Sequence, residues 1–314
     1  MESLVEPQHP LLVVILGPTG SGKTTLSVAL AQQFDGEIIS CDSVAVYHGL
    51  EIGSAKPSAG QRKQIPHHLL DVVTPDAFYS AGDYSRAART AIATIAARGR
   101  LPIVTGGTGL YLRALLQGLF PGPQRSAGLR DRLLRKAETR GPAVLHRILK
   151  RLDPASAARI HANDVAKVIR AIEVTLAASR PMSEAWKEGR EPLTGYRVLR
   201  LGLDPQRPQL YERINARARV MFAEGLIEET RDLLVRYGHA PALASLGYRQ
   251  ASEFLEGNLT LQQAIAAASQ GHRNYAKRQL TWFRREPEVC WLKGFGDDLS
   301  VYAEAERLVA RAKS

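Results

Sequence analysis

The feature that constrains this chain most is a glycine-rich segment that lies between a short apolar run and a predicted helix. Leu11–Leu16 is a continuous apolar run of strand length, which is typical of a buried parallel strand. The segment after it fits G-x-x-x-x-G-K-S/T, the P-loop pattern, whose glycines let successive backbone N–H groups curl around phosphate oxygens at a helix N-terminus. The predicted phosphate-binding residues are Gly17, Pro18, Thr19, Gly20, Ser21, Gly22, Lys23 and Thr24.

Further strand-length runs alternate with helical segments along the chain. Glu37–Ser40 and Leu101–Thr105 are predicted strands, and Tyr84–Ala97 is a predicted helix between them. Arg197–Leu203 is a later strand that returns to the same sheet. Because strands that alternate with helices form parallel sheets, the sequence predicts an α/β fold. It is a P-loop NTPase-like parallel sheet with helices on both faces, plus a helical insertion domain.

The insertion is indicated by a change in the residue pattern between Phe120 and about Pro192. Strand-like runs vanish there, and helical segments such as Leu129–Thr139 and Ala143–Leu152 replace them. The block opens with Pro121-Gly122-Pro123 and closes with Glu191-Pro192, which are typical boundary signals. We predict a discontinuous catalytic core (11–119 and 196–296), a helical insertion (120–195) and a C-terminal tail or helix (297–314).

The charge of the chain favours a polyanionic partner. The formal net charge is +11, and the stretch Arg125–Arg151 holds nine Lys or Arg residues against only Asp131 and Glu138. A second basic stretch, Arg273–Arg285, interleaves aromatic residues with cations. We expect its apolar half to pack in the core and its cations to face a nucleic-acid backbone.

Several classes of protein are excluded. Cys41 and Cys290 are the only cysteines, so neither a disulfide framework nor a cysteine-based zinc module is expected. His67 and His68 are adjacent on a predicted extended segment and point to opposite sides, so they do not form a metal site. The N-terminus lacks a basic region, and its apolar run is too short for a signal or a membrane span. We expect a cytoplasmic protein with no membrane partner, and nothing requires more than a monomer.

The P-loop does not say what happens to the phosphates it holds. An ATPase or GTPase usually adds a strand that ends in a carboxylate for Mg²⁺, but Leu101–Thr105 ends in the turn Gly106–Gly109, with no carboxylate after it. Asp42 follows the second strand at the sheet edge where α/β proteins bind ligands. It could act as a general base toward an acceptor or as a partner of Mg²⁺. The Thr24 hydroxyl is a candidate Mg²⁺ ligand.

With these residues assembled, the chain resembles the bacterial-type tRNA dimethylallyltransferases, also called tRNA isopentenyltransferases. The matching blocks follow the family's order from residue 11 to about 292. They are Gly17–Thr24, Ser40–Ser43, Val46-Tyr47, Gly53–Pro57, His67–Leu69, Gly106–Leu112, Arg159–His161, Asn163-Asp164, Arg170–Val174, Tyr275–Gln279 and Thr281–Arg284.

The resemblance implies transfer of a dimethylallyl group from its diphosphate to N6 of the adenine just 3′ of the anticodon, with Mg²⁺ as cofactor. It implies that Gly17–Thr24 hold the diphosphate with Thr24 near the metal, and that Asp42 accepts the N6 proton. Thr108 and Arg217 would steady the departing diphosphate. The 120–195 insertion would bind the tRNA anticodon stem-loop. The implied tRNA-binding residues are Asp42, Ser43, Val44, Thr108, Arg130, Lys167, Val168, Arg170, Gly247, Tyr248 and Arg249.

The chain departs from the family pattern at two places. The family usually has Gln where this chain has Ala45, and Gln-Arg where it has Ala166-Lys167. The alanines make no side-chain hydrogen bond, and Lys167 keeps the charge of Arg without its bidentate fork.

Two alternatives stay open at this point. A small-molecule P-loop kinase would use Asp42 to bind an acceptor hydroxyl and the basic insertion as a phosphate lid. It leaves the Gly106–Gly109 turn and the Arg273–Arg285 stretch unexplained. A non-catalytic tRNA-binding protein is the other alternative. Under the transferase hypothesis, ATP competes only weakly for the phosphate cradle.

Overall fold

The centre of the computed structural model, which describes residues 9–120, 122–123, 126–185 and 189–314, is a six-stranded parallel sheet. The strands are β1 (Leu11–Leu16), β2 (Gly36–Ser40), β3 (His67–His68), β4 (Leu101–Gly106), β5 (Arg197–Leu203) and β6 (Val289–Leu292). Their order is β3-β2-β4-β1-β5-β6. The predicted α/β class is confirmed. Sequence reasoning did not assign β3 and β6 as strands, because 2 and 4 residues are too few to show a strand pattern.

Helices precede or follow almost every strand. In chain order they are α1 (Lys23–Gln33), α2 (Ala59–Gln64), α3 (Ala81–Ala97), α4 (Gly109–Leu116), α5 (Ala127–Arg140), α6 (Ala143–Leu152), α7 (Pro154–Arg159), α8 (Val165–Ala178), α9 (Met182–Ala185), α10 (Arg207–Ala223), α11 (Leu226–Tyr237), α12 (Tyr248–Leu255), α13 (Leu261–Phe283) and α14 (Leu299–Lys313). Among the described residues, none of them is both long and apolar enough to cross a lipid bilayer.

The continuous apolar run of β1 is explained by burial of both faces of the sheet. Val13 and Ile15 pack with α1 and α14 on one face, whereas Leu12 and Val14 pack with α3 and α4 on the other. Successive strand residues point to opposite faces, so a strand covered on both sides is apolar at every position.

The parallel register brings three loops to one edge of the sheet. Leu16 at the end of β1 pairs with Gly106 at the end of β4, and Ser40 at the end of β2 pairs with Thr105. The P-loop after β1, the glycine turn after β4 and Asp42 after β2 therefore lie side by side. This is the edge at which parallel α/β sheets bind ligands.

The chain divides into two compact units. One comprises the chain up to Leu116 together with Leu193–Ser314, and contains the sheet. The other, Gln117–Pro192, is helical in its described part and has its own apolar core, which includes Leu133, Leu145 and Val168.

The segment 297–314, predicted as a C-terminal tail or helix, belongs to the sheet-containing unit. Its helix α14 buries Val301, Ala305 and Val309 in the core that covers one face of the sheet. We therefore treat α14 as part of the core fold.

The packing of α14 gives a test within one helix. Val309 is fully buried, so Val309→Ala removes apolar contacts and leaves a small cavity; we expect a loss of about 2 kcal/mol in the free energy of unfolding. Leu299 is 86% exposed, and Leu299→Ala is the matched control with an expected change of less than about 0.5 kcal/mol. Urea denaturation measures both. Equal effects would show that α14 is not docked as described.

Candidate active site

The P-loop has the conformation of an anion cradle. Gly20 and Gly22 have φ values of +81° and +84°, and α1 begins directly afterwards at Lys23. The backbone N–H groups at the start of α1 have no partner within the helix and, with the helix dipole, favour an anion. Gly22 also cannot carry a side chain, since a Cβ there would lie 2.8 Å from the backbone nitrogen of Gly296.

The Lys23 side chain folds back onto the P-loop. Its Nζ donates hydrogen bonds to the carbonyl oxygens of Gly17 (2.9 Å) and Pro18 (2.8 Å). Burial and, to a lesser extent, the nearby Arg217 lower the pKa of Lys23 to about 7, and the negative charge of Asp42 acts in the opposite direction. Without an anion, the charged form of this lysine is poorly stabilised.

Arg217 reaches the P-loop from α10. Its guanidinium donates a hydrogen bond to Thr19 Oγ1 at 2.7 Å. Burial lowers the pKa of Arg217, and the negative charge of Asp42 partly offsets this effect. Two cations, Lys23 and Arg217, thus converge on the same loop.

Asp42 is oriented by its own turn. Its Oδ1 accepts hydrogen bonds from the backbone nitrogens of Val44 (2.8 Å) and Ala45 (3.3 Å). Within the described part of the chain, Oδ2 receives no such bond. One carboxylate oxygen therefore fixes the orientation of the group while the other is left to interact with a ligand.

Thr108 connects the Asp42 loop to the turn after β4. Its Oγ1 accepts a hydrogen bond from the Ser43 backbone nitrogen (3.0 Å) and donates one to Ser43 Oγ (3.2 Å). Its own backbone nitrogen donates to the Cys41 carbonyl at 3.1 Å. The turn can approach this closely because Gly106 has no Cβ, which would lie 2.1 Å from the Cys41 oxygen.

These groups surround one cavity of about 300 Å³. Lys23, Thr24 and Arg217 supply its polar wall at the P-loop, and Asp42 is part of the same lining. The residues that make the rest of the lining partly apolar are Ile38, Ala45, Ala55, Pro57 and Leu70. The cavity therefore presents a cationic end, a carboxylate and an apolar wall. A wider, more open depression of about 500 Å³ beside it is lined by Glu51, Lys56 and Arg62 among others.

Sequence reasoning did not assign a role to Gln279, which links two of the loops. Its Oε1 accepts a hydrogen bond from the Thr19 backbone nitrogen (2.7 Å), and its Nε2 donates to the Gly107 carbonyl (2.9 Å). Tyr275, one turn earlier on α13, donates to the same carbonyl at 3.3 Å. The spacing of four residues could have indicated a shared helix face, but not the loops that it contacts.

The predicted tRNA-binding residues of the insertion differ in their surroundings. Arg130 forms an ion pair with the buried Glu173 (3.1 Å), Lys167 pairs with Asp164, and Arg170 donates to the Pro123 carbonyl at 3.0 Å. The tRNA-binding roles of these three residues stay predictions. Val168 differs in that its side chain is fully buried in the apolar core of the insertion, and its place among the predicted tRNA-binding residues stays a prediction.

Tyr248, another predicted tRNA-binding residue, is also buried. Its ring is fully buried, its hydroxyl donates to Glu229 Oε1 (2.5 Å), and it accepts a hydrogen bond from the Gly53 backbone nitrogen (3.1 Å). The side chain is therefore part of the core. Gly247 and Arg249 flank Tyr248 in the chain. Arg249 is exposed, and its Nε lies 4.0 Å from Glu253 Oε1.

The two histidines have separate partners. His68 Nε2 lies 2.7 Å from Glu37 Oε2, and His67 Nδ1 lies 2.8 Å from the Ile65 carbonyl. In the second basic stretch, Phe283 is buried and Lys277 is exposed, as the sequence indicated. Arg125 of the first basic stretch lies outside the described residues.

The chain is similar to known proteins over most of its length, not only at the P-loop. A model of the IPP transferase family matches residues 45–286. The chain is 63% identical over 301 residues to the tRNA dimethylallyltransferase of Koribacter versatilis (strain Ellin345), covering 96% of this chain and 98% of that one. The structure of the tRNA isopentenylpyrophosphate transferase of Bacillus halodurans matches with a TM-score of 0.71, 38% identity and 96% of both chains covered. A eukaryotic dimethylallyltransferase acting on tRNA matches with a TM-score of 0.79 and 28% identity, over 96% of this chain and 78% of that one.

The lowered pKa of Lys23 makes anion binding pH-dependent. With a pKa of about 7, Lys23 is mostly neutral near pH 8, and a bound diphosphate raises that pKa and draws a proton onto the amine. We expect uptake of close to one proton per diphosphate near pH 8, and less near pH 6, where Lys23 is already charged. Calorimetry in buffers of different ionisation enthalpy measures it. Lys23→Met should abolish the uptake; the same uptake in that variant would refute the assignment.

The two hydrogen bonds of Gln279 give a second test. Gln279→Glu near pH 8 cannot donate to Gly107 and adds a negative charge to the cavity lining, so inorganic diphosphate should bind roughly tenfold more weakly. The deficit relative to the unmodified protein should shrink as the pH falls and the new carboxyl gains a proton. Gln262→Glu, at an exposed position of the same helix, is the control. A pH-independent deficit would contradict the hydrogen-bonding role.

Proposed function

Because the chain belongs to the IPP transferase family, we propose that it transfers a dimethylallyl group from dimethylallyl diphosphate to N6 of the adenine 3′-adjacent to the anticodon in tRNA. The family resemblance inferred from the sequence is confirmed by the comparisons. The specific donor, the acceptor atom and the position in the tRNA are part of the proposal.

The observation that carries the proposal is the sharing of one cavity by an anion cradle and a carboxylate. Lys23 and Arg217 lie at the P-loop end, and Asp42 lines the same space. The strand β4 ends at Gly106 and no carboxylate follows it in the turn to Gly109, where a nucleotide hydrolase would commonly place its Mg²⁺ ligand. This arrangement fits a reaction in which an anionic group leaves at the P-loop and the acceptor amine loses a proton to the carboxylate.

The chemistry required of the residues follows from the acceptor. An exocyclic adenine amine is a weak nucleophile because its lone pair is delocalised into the ring. As the C–N bond to the allylic carbon forms and the C–O bond to the diphosphate breaks, the N6 proton passes to Asp42 Oδ2. The leaving diphosphate gains charge, which the P-loop N–H groups, Lys23 and Arg217 stabilise.

The residues at the cavity fit the proposed Mg²⁺. The Thr24 hydroxyl lines the cavity and would hold the ion, because oxygen ligands are the ones that Mg²⁺ prefers. Among the described residues no cluster of three His, Cys, Asp or Glu side chains could hold an ion, so diphosphate oxygens and water would complete the coordination. When bound, the ion offsets part of the diphosphate charge.

The proposed tRNA contact of the insertion is supported by exposed cations. Arg132, Arg135 and Lys136 on α5 are all exposed, and further exposed cations follow on α6. Helices with so few balancing carboxylates favour phosphate contacts.

The proposal is tested by incubating the protein with unmodified tRNA, dimethylallyl diphosphate and Mg²⁺, then measuring the mass of the digested nucleosides. Asp42→Asn keeps the shape of the side chain but cannot take the proton. We expect a fall of roughly 10²–10⁴-fold in the transfer rate with little change in tRNA affinity. Asp76→Asn, at an exposed position, is the control. Near-native turnover of the Asp42 variant would exclude Asp42 as the base.

The role of the insertion is tested by neutralising Arg132, Arg135 and Lys136 together. If these cations bind phosphates, tRNA binding weakens and the log–log salt dependence flattens by up to about 0.7–0.9 for each phosphate that the variant no longer neutralises. Affinity for dimethylallyl diphosphate should not change. The control neutralises three exposed cations of α14, Arg307, Arg311 and Lys313. An unaltered slope, or equal flattening in the control, would mean that the α5 charges do not form a specific tRNA contact.

A further inference from the structure

The P-loop is held from behind by a segment near the C-terminus. We call residues 293–298, which connect β6 to α14, the P-loop brace. The backbone nitrogen of Gly296 donates a hydrogen bond to the Ser21 carbonyl at 2.8 Å. A Cβ on Gly296 would lie 2.3 Å from the Gly22 carbonyl, so the two backbones are in direct contact. The brace lies beyond residue 286, where the match to the family model ends.

The brace places a carboxylate next to the anion cradle. A Cβ built on Gly22 would lie 2.8 Å from Asp297 Oδ1, which puts this oxygen beside the start of α1. A lone negative charge at a helix N-terminus competes with a bound anion for the same positive potential. An unpaired Asp297 would therefore weaken diphosphate binding.

Arg213 neutralises that carboxylate. Its NH1 lies 2.7 Å from Asp297 Oδ1 and 2.9 Å from Oδ2, and its guanidinium carbon is 3.6 Å from the ring centroid of Phe295 in the same brace. The hydrogen bond from Arg213 lowers the pKa of Asp297, which keeps the carboxylate charged. Arg213 lies one helical turn before Arg217 on α10, so the same helix supplies a cation to the cavity and one to the brace.

We propose that Arg213 is a positioning residue for the diphosphate: it cancels the charge of Asp297 and holds the brace against the P-loop. This role rests on the proposed function, because the anion concerned is the leaving diphosphate. The effect of Arg213 on diphosphate affinity can nevertheless be measured without turnover.

The test compares Arg213→Ala with the double variant Arg213→Ala/Asp297→Asn. Both side chains are about two-fifths exposed, so screening limits the effect, and we expect Arg213→Ala to bind inorganic diphosphate roughly three- to tenfold more weakly at low salt. The deficit should shrink at high salt. The double variant, which lacks the stranded carboxylate, should return to within about twofold of the unmodified protein. Arg86→Ala, which breaks an exposed ion pair with Asp83 on α3, is the matched control.

Steady-state kinetics give the second measurement. The KM for dimethylallyl diphosphate should rise in Arg213→Ala while the KM for tRNA stays constant, a split that general loss of structure would not produce. Unchanged diphosphate affinity in Arg213→Ala, or a double variant as weak as the single one, overturns the proposal. Failure of the unmodified protein to prenylate tRNA would instead contradict the proposed function, and the diphosphate titrations would still decide the role of Arg213.

Discussion

Lys23 and Arg217 line one cavity, and burial lowers the pKa of both side chains. Asp42 is the carboxylate that acts on both cations. One carboxylate does not balance two cations, so the site lacks negative charge. A diphosphate would supply this charge, and the reaction that we propose releases a diphosphate there. The same constraint accounts for the two hydrogen bonds from Lys23 to loop carbonyls, which substitute for phosphate oxygens. The geometry of the P-loop, the brace and Gln279 all serve to keep this cationic end in place.

Much of this arrangement was predictable from local sequence. The P-loop pattern, the apolar run of β1 and the position of Asp42 after β2 are each encoded within a few neighbouring residues, and parallel strand order then brings them to one edge. Gln279 was not predictable in this way, because its partner Thr19 is 260 positions away in the chain. The same holds for Asp297 in the brace, whose partner Arg213 lies 84 positions away on α10.

Matching a family motif also does not separate side chains that contact a ligand from those that support the contact. The family resemblance implies a tRNA-binding role for Tyr248 and Val168, yet both side chains are fully buried. Arg130 pairs with Glu173, whose side chain is almost completely buried, so this cation also stabilises the insertion itself. Burial depends on how distant segments pack, and a motif read along the chain contains no information about it. Ala45 stands where the sequence departs from the expected family pattern. It lines the cavity and makes part of its wall apolar.

In the reaction that we propose, this P-loop holds the leaving diphosphate, and nucleotide hydrolysis does not drive the transfer. The most direct measurement follows diphosphate release and prenylated adenosine together in one reaction, with ATP present and with ATP omitted. We predict that the two products form in equimolar amounts, that omission of ATP changes neither, and that Lys23→Met slows both equally. Prenylation that requires ATP hydrolysis, or diphosphate release without a modified tRNA, would contradict this claim.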